Sequence, residues 1–205
     1  RLAMIGIYGG SFDPIHLGHL KTATSLKTEL QLDHLFLLPC CEPVHKVGLK
    51  YSSNDRLKML NLAVDNFSTL EIDSREINRG GGSYMIDTLC ELKQIYKEEP
   101  ICLIIGMDSF LKIKTWKDWQ EFSKLVHLVI LQRQGFKLID SALDSFHTTK
   151  EVHQLKLESN GLLYFSNCPK INISSSDIRG RIAANQNLDD LLPKSVINYL
   201  RLHES

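Results

Sequence analysis

Two histidines three positions apart, His16 and His19, are the residues whose type and spacing best suit chemistry. They close the run GGSFDPIHLGH (residues 9–19), which follows an apolar segment typical of a buried strand and precedes a helical pattern. The spacing places both rings on one side of the helix entrance, where backbone N–H groups and the helix dipole favour an anion. Gly18 leaves room for that anion between the rings. We therefore expect a phosphate here.

Two other interpretations of this motif remain open. A His-x-x-His pair also suits a metal ion, although no third ligand of suitable type lies near it in the sequence. The histidines could instead be polar residues of a turn that has no function. The dinucleotide pattern GxGxxG is excluded, since histidines stand where that pattern has glycines.

A second polar cluster near the C-terminus, ISSSDIR (residues 173–179), also suits a phosphate. A serine run at the start of a helix offers hydroxyl and N–H groups, and Arg179 adds a fixed positive charge one turn later. The alternative is a plain helix cap, in which the serine and aspartate side chains only satisfy the first turn of the helix.

These clusters need elements that hold them, and the hydrophobic pattern predicts alternating strands and helices. Apolar runs predict strands over residues 3–8, 33–39, 69–72, 101–105, 125–131 and 162–166. Periodicity predicts helices over residues 18–30, 54–66, 83–96 and 193–202, with Ser83 as an N-cap. This alternation predicts an α/β fold: a Rossmann-like, doubly wound, mostly parallel sheet with flanking helices. We expect a single domain over residues 1–205, with a small C-terminal helical portion over about 170–205.

The composition excludes several classes of function. The 205 residues include 24 Lys+Arg and 24 Asp+Glu, so the formal net charge is zero. A general nucleic-acid binder usually has a basic excess, and so does a protein held on an anionic membrane by charge. No apolar stretch reaches the roughly 18 residues of a membrane span, and five cysteines without a CxxC pair indicate a reducing cytoplasm. We expect a cytoplasmic protein that binds neither nucleic acid nor membrane, and its oligomeric state is left open.

Together the motifs resemble those of the bacterial nicotinate-nucleotide adenylyltransferases, in the nucleotidyltransferase superfamily that carries the HxGH motif. HLGH (residues 16–19) is that motif, and ISSSDIR resembles the superfamily's ISSTxxR. The blocks PVHK (43–46), EINRGGGSYMIDTL (76–89) and IGMD (105–108), followed by Trp116, resemble blocks of this family in particular. The resemblance runs from residue 4 to residue 202 and is weakest over residues 135–160. The single domain expected above is thus a nucleotidyltransferase domain.

The resemblance implies transfer of the adenylyl group of ATP to nicotinate mononucleotide, giving deamido-NAD and pyrophosphate in NAD biosynthesis. It also implies Mg²⁺ as the cofactor, bridging the phosphates with few protein ligands, so that no residue is expected to be a metal ligand. The expected catalytic residues are His16, His19, Lys46 and Arg179. The expected ATP contacts are Gly9, Gly10, Ser11, Phe12, Gly18, Ile105, Gly106, Asp108, Ser175 and Ser176. The expected contacts with the nicotinate nucleotide are His45, Ser83, Tyr84, Met85, Trp116 and Arg133.

Two departures from the family pattern bear on function. Ser176 stands where the family usually has threonine, and it keeps the hydroxyl group. Met85 also replaces a threonine but loses the hydroxyl, at a helix start that in the family receives the nicotinate carboxylate. The alternatives are therefore an adenylyltransferase for nicotinamide mononucleotide or phosphopantetheine, and a non-catalytic nucleotide sensor. A sensor should have lost some of the phosphate-binding residues, and all of them are present.

Overall fold

The fold alternates strands and helices along the chain, as described by a computed structural model over residues 1–132 and 143–203. The helices in these ranges are α1 (Leu17–Glu29), α2 (Ser53–Val64), α3 (Arg75–Arg79), α4 (Met85–Ile95), α5 (Met107–Leu111), α6 (Val152–Leu157), α7 (Ser175–Ala183) and α8 (Lys194–His203). The strands are β1 (Ile5–Gly10), β2 (His34–Pro39), β3 (Glu42–Pro43), β4 (Glu71–Ile72), β5 (Gly82–Ser83), β6 (Ile101–Gly106), β7 (His127–Leu131), β8 (His147–Thr149) and β9 (Leu162–Ser166). None of these helices is both long and apolar enough to cross a lipid bilayer.

Seven strands form the main sheet, in the order β4-β2-β1-β6-β7-β9-β8. The pairs β1/β6, β6/β7, β7/β9 and β8/β9 are all parallel. The strand order reverses between β1 and β6, because the chain first builds outward to β2 and β4 and then continues on the other side of β1. The predicted doubly wound α/β fold is confirmed.

The chain divides into two compact units. The first unit contains Arg1–Gly9, Ser25–Phe36 and Tyr84–Lys170, and the second contains Gly10–Thr24, Leu37–Ser83 and Ile171–Ser205. The first unit buries the β6 run Ile101–Ile105 together with Leu89 and Leu92 of α4. The single-domain expectation stays a prediction.

The second unit contains the predicted C-terminal helices. Its α2 and α8 pack on each other, with Met59 and Leu60 buried on α2 and Val196 and Leu200 on α8. The Tyr199 hydroxyl donates a 2.5 Å hydrogen bond to Asp55, which fastens the two helices at the edge of this apolar contact.

The long predicted elements lie within two residues of their observed bounds, because each buries a continuous apolar run or stripe. The prediction of Ser83 as a helix cap is wrong. Ser83 belongs to β5, which pairs with β3 in a separate two-stranded sheet, and its hydroxyl accepts the Cys41 N–H at 2.9 Å. The N-cap position of α4 is occupied by Tyr84.

Candidate active site

The histidine pair forms a compact unit at the start of α1. The rings of His16 and His19 are stacked with their centroids 3.6 Å apart. Each ring also accepts a backbone N–H of the other: His16 N–H lies 3.2 Å from Nδ1 of His19, and His19 N–H lies 3.3 Å from Nδ1 of His16. Since Nδ1 accepts in both rings, a neutral ring carries its proton on Nε2. The pair therefore presents two Nε2–H donors in a fixed arrangement.

Burial keeps both rings neutral. It lowers the pKa of His16 from the ordinary 6.5 to about 4. The pKa of His19 is lowered well below the ordinary value, mainly by burial and further by the nearby charges of His16 and Lys46. The pair thus offers neutral hydrogen-bond donors to a phosphate at neutral pH, and the positive charge must come from other residues.

Gly18 is required by the packing around the pair. A Cβ atom added to Gly18 would lie 2.8 Å from the His16 ring and 3.3 Å from Ile173. Phe12 packs its buried ring edge-on against His19, with centroids 5.0 Å apart. The aromatic and glycine positions of the motif therefore hold the histidines in place, and the Phe12 side chain is not exposed to a ligand.

The serine–arginine motif lies on the loop that leads to the histidines. Ser174 caps α7 by accepting the Asp177 N–H at 3.1 Å, so the plain cap expected as an alternative is present. The next residue, Ser175, donates its hydroxyl to the Pro14 carbonyl at 2.9 Å. Arg179 donates from Nη1 to the Asp13 carbonyl at 2.8 Å. The motif is thus attached to the chain just before His16, while Ser176 is exposed.

Arg56 secures the ends of the segment that carries His45 and Lys46, both of which are exposed. The guanidinium of Arg56 is 1% exposed and donates to the carbonyls of Ser11, Cys40, Cys41 and Tyr51 at 2.6 to 3.2 Å. Ser11 thereby contributes its carbonyl to this network. A buried guanidinium with carbonyl partners is satisfied in its hydrogen bonding, which indicates a structural role.

The first unit contains a separate group of candidates around the start of α4. A Cβ atom added to Gly9 would lie 3.3 Å from the terminal methyl of Met85, so these two predicted residues are neighbours. The Tyr84 side chain is 38% exposed, and the Lys117 ammonium lies 4.9 Å from the centre of its ring. Trp116, the residue before Lys117, is half-buried with its ring edge-on to Phe122 at 6.2 Å.

The remaining candidates of the first unit follow β6. Ile105 is buried in the strand, Gly106 is the N-cap residue of α5, and Asp108 is exposed in the first turn of that helix. Gly106 has no atom within 4 Å of a Cβ position, so open space adjoins this end of the strand. Arg133 lies outside the described residues.

The structure adds Asp13 to the residues that sequence reasoning singled out. Its buried carboxylate accepts the N–H groups of Lys50 and Tyr51, each at 2.9 Å. The available signal was an aspartate inside the histidine motif, but its partners lie 37 and 38 residues away in the chain. Across the described residues, no group of three His, Cys, Asp or Glu is placed to hold a metal ion.

Similar proteins carry the same arrangement over the whole chain. Residues 7–181 match the family described as cytidylyltransferase-like. A "probable nicotinate-nucleotide adenylyltransferase" of Vesicomyosocius okutanii is 46% identical over 197 residues, covering 96% of this chain and 93% of the relative. A protein of the same name from Methylococcus capsulatus is 37% identical over 203 residues, covering 96% of each chain. The solved structure of Plasmodium falciparum nicotinic acid mononucleotide adenylyltransferase complexed with NaAD has a TM-score of 0.75 at 20% identity, covering 98% of this chain and 96% of that one, and so shares the fold.

Proposed function

Because the chain belongs to the cytidylyltransferase-like family and, within it, to the nicotinate-nucleotide adenylyltransferases, we propose that it adenylylates nicotinate mononucleotide. A phosphate oxygen of the mononucleotide attacks the α-phosphorus of ATP, the bond from that phosphorus to the bridging oxygen of the β-phosphate breaks, and pyrophosphate leaves. The products are deamido-NAD and pyrophosphate, a step in the synthesis of NAD. The observation that carries this proposal is the stacked, neutral histidine pair with both Nε2–H groups fixed as donors.

The protein needs no general base for this reaction, because the nucleophile is already an anion. Its task is to position two phosphates and to stabilise the charge that develops on their oxygens. His16 and His19 donate to oxygens of the α- and β-phosphates. Their neutrality suits this role, since a neutral donor keeps its proton at neutral pH whether or not ligand is bound.

Lys46 and Arg179 supply the positive charge that the histidines lack. Arg179 has five N–H donors, and its bond to the Asp13 carbonyl uses one Nη atom, which leaves other donors for the triphosphate and the departing pyrophosphate. Lys46, exposed on its segment, acts as a mobile point charge. Ser176 and the N-terminus of α7 add a hydroxyl and backbone N–H groups.

The first unit contributes recognition of the rings in this proposal. Trp116 stacks on the pyridine ring, and the N–H groups of Tyr84 and Met85 at the start of α4 receive the nicotinate carboxylate. The backbone of Ile105 and Gly106 contacts adenine, and the Asp108 carboxylate accepts from a ribose hydroxyl. Arg133 completes the predicted nucleotide contacts.

The divalent ion is proposed to be Mg²⁺, which enters with the ATP phosphates. The carboxylate beside the histidines, Asp13, directs both of its oxygens to backbone N–H groups, so it is not arranged as a ligand. This agrees with an ion held mainly by phosphate oxygens and water. We place the enzyme in the cytoplasm, which its five free thiols support.

A second acceptor, nicotinamide mononucleotide, is favoured by one observation: Met85 offers no hydroxyl beside the expected carboxylate position. The test measures pyrophosphate release from ATP with nicotinate mononucleotide, nicotinamide mononucleotide or phosphopantetheine as acceptor. We expect the highest kcat/KM with the nicotinate acceptor. Equal values for the two pyridine nucleotides would remove the claim of acid selectivity, and release with phosphopantetheine alone would overturn the proposal.

A further inference from the structure

Asp13 has no assigned part in the chemistry, yet its carboxylate is 4% exposed and fully engaged. Its Oδ1 accepts the N–H of Tyr51 and its Oδ2 accepts the N–H of Lys50, each at 2.9 Å. Both oxygens therefore face the backbone at the end of the segment that carries Lys46. A charged acceptor with two N–H partners makes stronger hydrogen bonds than a neutral one.

The backbone and side chain of Asp13 also face Arg179. The Nη1 atom of Arg179 donates to the Asp13 carbonyl at 2.8 Å and lies 3.5 Å from Oδ2 of the carboxylate. The next carbonyl in the chain, that of Pro14, accepts the hydroxyl of Ser175 at 2.9 Å. One dipeptide thus joins the serine–arginine motif to the loop that leads to His16.

The segment carrying Lys46 is held at both ends. Arg56 donates to the carbonyls of Cys40 and Cys41 before it, at 2.7 and 2.6 Å, and to the carbonyl of Tyr51 after it, at 3.2 Å. The peptide groups on the two sides of Tyr51 are therefore gripped by two buried side chains, Arg56 at the C=O and Asp13 at the N–H. Between these ends Val47 is fully exposed, so the position of Lys46 depends on how firmly the ends are fixed.

We propose that Asp13 is a positioning residue for adenylyl transfer, which holds the Lys46 segment and Arg179 in one arrangement with the histidine pair. The proposal rests on the proposed function for its catalytic readout. Donors to a developing phosphate charge must be fixed before the reaction. A displacement of about 1 Å can lower the rate on the order of 100-fold. Asp13 acts through the residues it holds and does not itself contact the phosphates.

The test compares Asp13→Asn with Asp33→Asn. Asp33 is a matched control in the first unit, since its carboxylate also accepts a backbone N–H, that of Met4 at 2.7 Å. In Asp13→Asn, an amide replaces one charged oxygen with a donor. We expect kcat to fall on the order of 100-fold, with a smaller change in the KM for ATP and a folded protein by thermal melting. Asp33→Asn should keep kcat while lowering Tm. An unchanged kcat in Asp13→Asn would overturn the proposal.

A double variant separates positioning from general loss of stability. If Asp13 acts through Lys46, then Lys46→Ala lowers kcat by less than about threefold in the Asp13→Asn background, although it lowers kcat much more in the wild type. If the two losses multiply independently, the proposal is wrong.

Hydrogen exchange tests the same contacts without reference to activity. The amides of Lys50 and Tyr51 should exchange slowly in the wild type, and those of Val47 and Gly48 quickly. Fast exchange at Lys50 and Tyr51 would contradict the proposal even if Asp13→Asn failed to fold. Absence of pyrophosphate release from the wild type would instead defeat the proposed function, while the exchange rates would still report whether Asp13 holds the segment.

Discussion

The candidate phosphate residues of the second unit and the candidate ring-binding residues of the first unit are held by different forces. His16 and His19 accept each other's backbone N–H groups, and Arg179 is bonded to a carbonyl. Tyr84 and Trp116 are in contact with Lys117 and Phe122 through their ring faces and edges. Hydrogen bonds fix direction, whereas ring contacts tolerate displacement. We infer that the phosphate group tolerates substitution poorly and that the ring group tolerates it better.

The largest effect should come from the phosphate group. In His19→Ala, one preorganised donor is lost, and we expect kcat for pyrophosphate release to fall on the order of 100- to 1,000-fold. The control is His203→Ala, which removes an exposed ring stacked on Tyr199 and should leave kcat unchanged. Both variants should melt close to the wild type. Turnover of His19→Ala near the wild-type level would refute the assignment of the phosphate site.

This contrast also explains what the sequence could predict. Histidines at a fixed spacing after a buried strand are required by the chemistry, so they are visible in the residue types alone. The contacts of Asp13 were not predictable, because Lys50, Tyr51 and Arg179 are distant in the chain and meet it only in the folded unit.

The fold follows the same division. Strands such as β6 bury five consecutive apolar residues, and their bounds were predicted closely. The two-residue strands β3 and β5 were missed because two residues are too few to show a period. Their pairing is also why Ser83 is part of a strand and not the cap of α4.

A smaller effect is expected in the ring group. Trp116→Ala should raise the KM for nicotinate mononucleotide about tenfold, since stacking contributes about 0.5–1.5 kcal/mol, while kcat changes little. Trp119→Ala is the matched control: its ring is half-buried and lies below Lys114 at 5.9 Å, and its removal should leave that KM unchanged. If the two variants raise the KM equally, Trp116 has no special part in binding the pyridine ring.

Selectivity between acid and amide acceptors should respond more weakly. Met85→Thr restores a hydroxyl at the start of α4, and one added hydrogen bond is worth roughly 0.5–1.5 kcal/mol. We expect the ratio of kcat/KM for the nicotinate and nicotinamide mononucleotides to rise about threefold. Met85→Val gives nearly the same shape without the hydroxyl and should not raise the ratio. Equal ratios in the two variants would show that the hydroxyl has no effect on selectivity.

The smallest effect concerns pH near neutrality. With a pKa of about 4 for His16 and a lower-than-ordinary pKa for His19, neither ring gains a proton as the pH falls through 6.5. The unfolded chain does gain protons there, so the free energy of unfolding should fall as the pH drops from 6.5 toward 4. NMR titration of the two ring Cε1–H signals, assigned with single alanine variants, measures this. A midpoint near 6.5 for either ring would contradict the neutral pair.

The central claim is that the second unit's histidine pair promotes adenylyl transfer to a pyridine nucleotide. The direct measurement is the amount of dinucleotide and pyrophosphate formed from ATP and nicotinate mononucleotide, by the wild type and by the His16→Ala/His19→Ala double variant. We expect equal amounts of deamido-NAD and pyrophosphate from the wild type, and a rate lower by at least about 100-fold from the folded double variant. ATP binding by the wild type with no product from any acceptor would contradict the account and identify a nucleotide sensor.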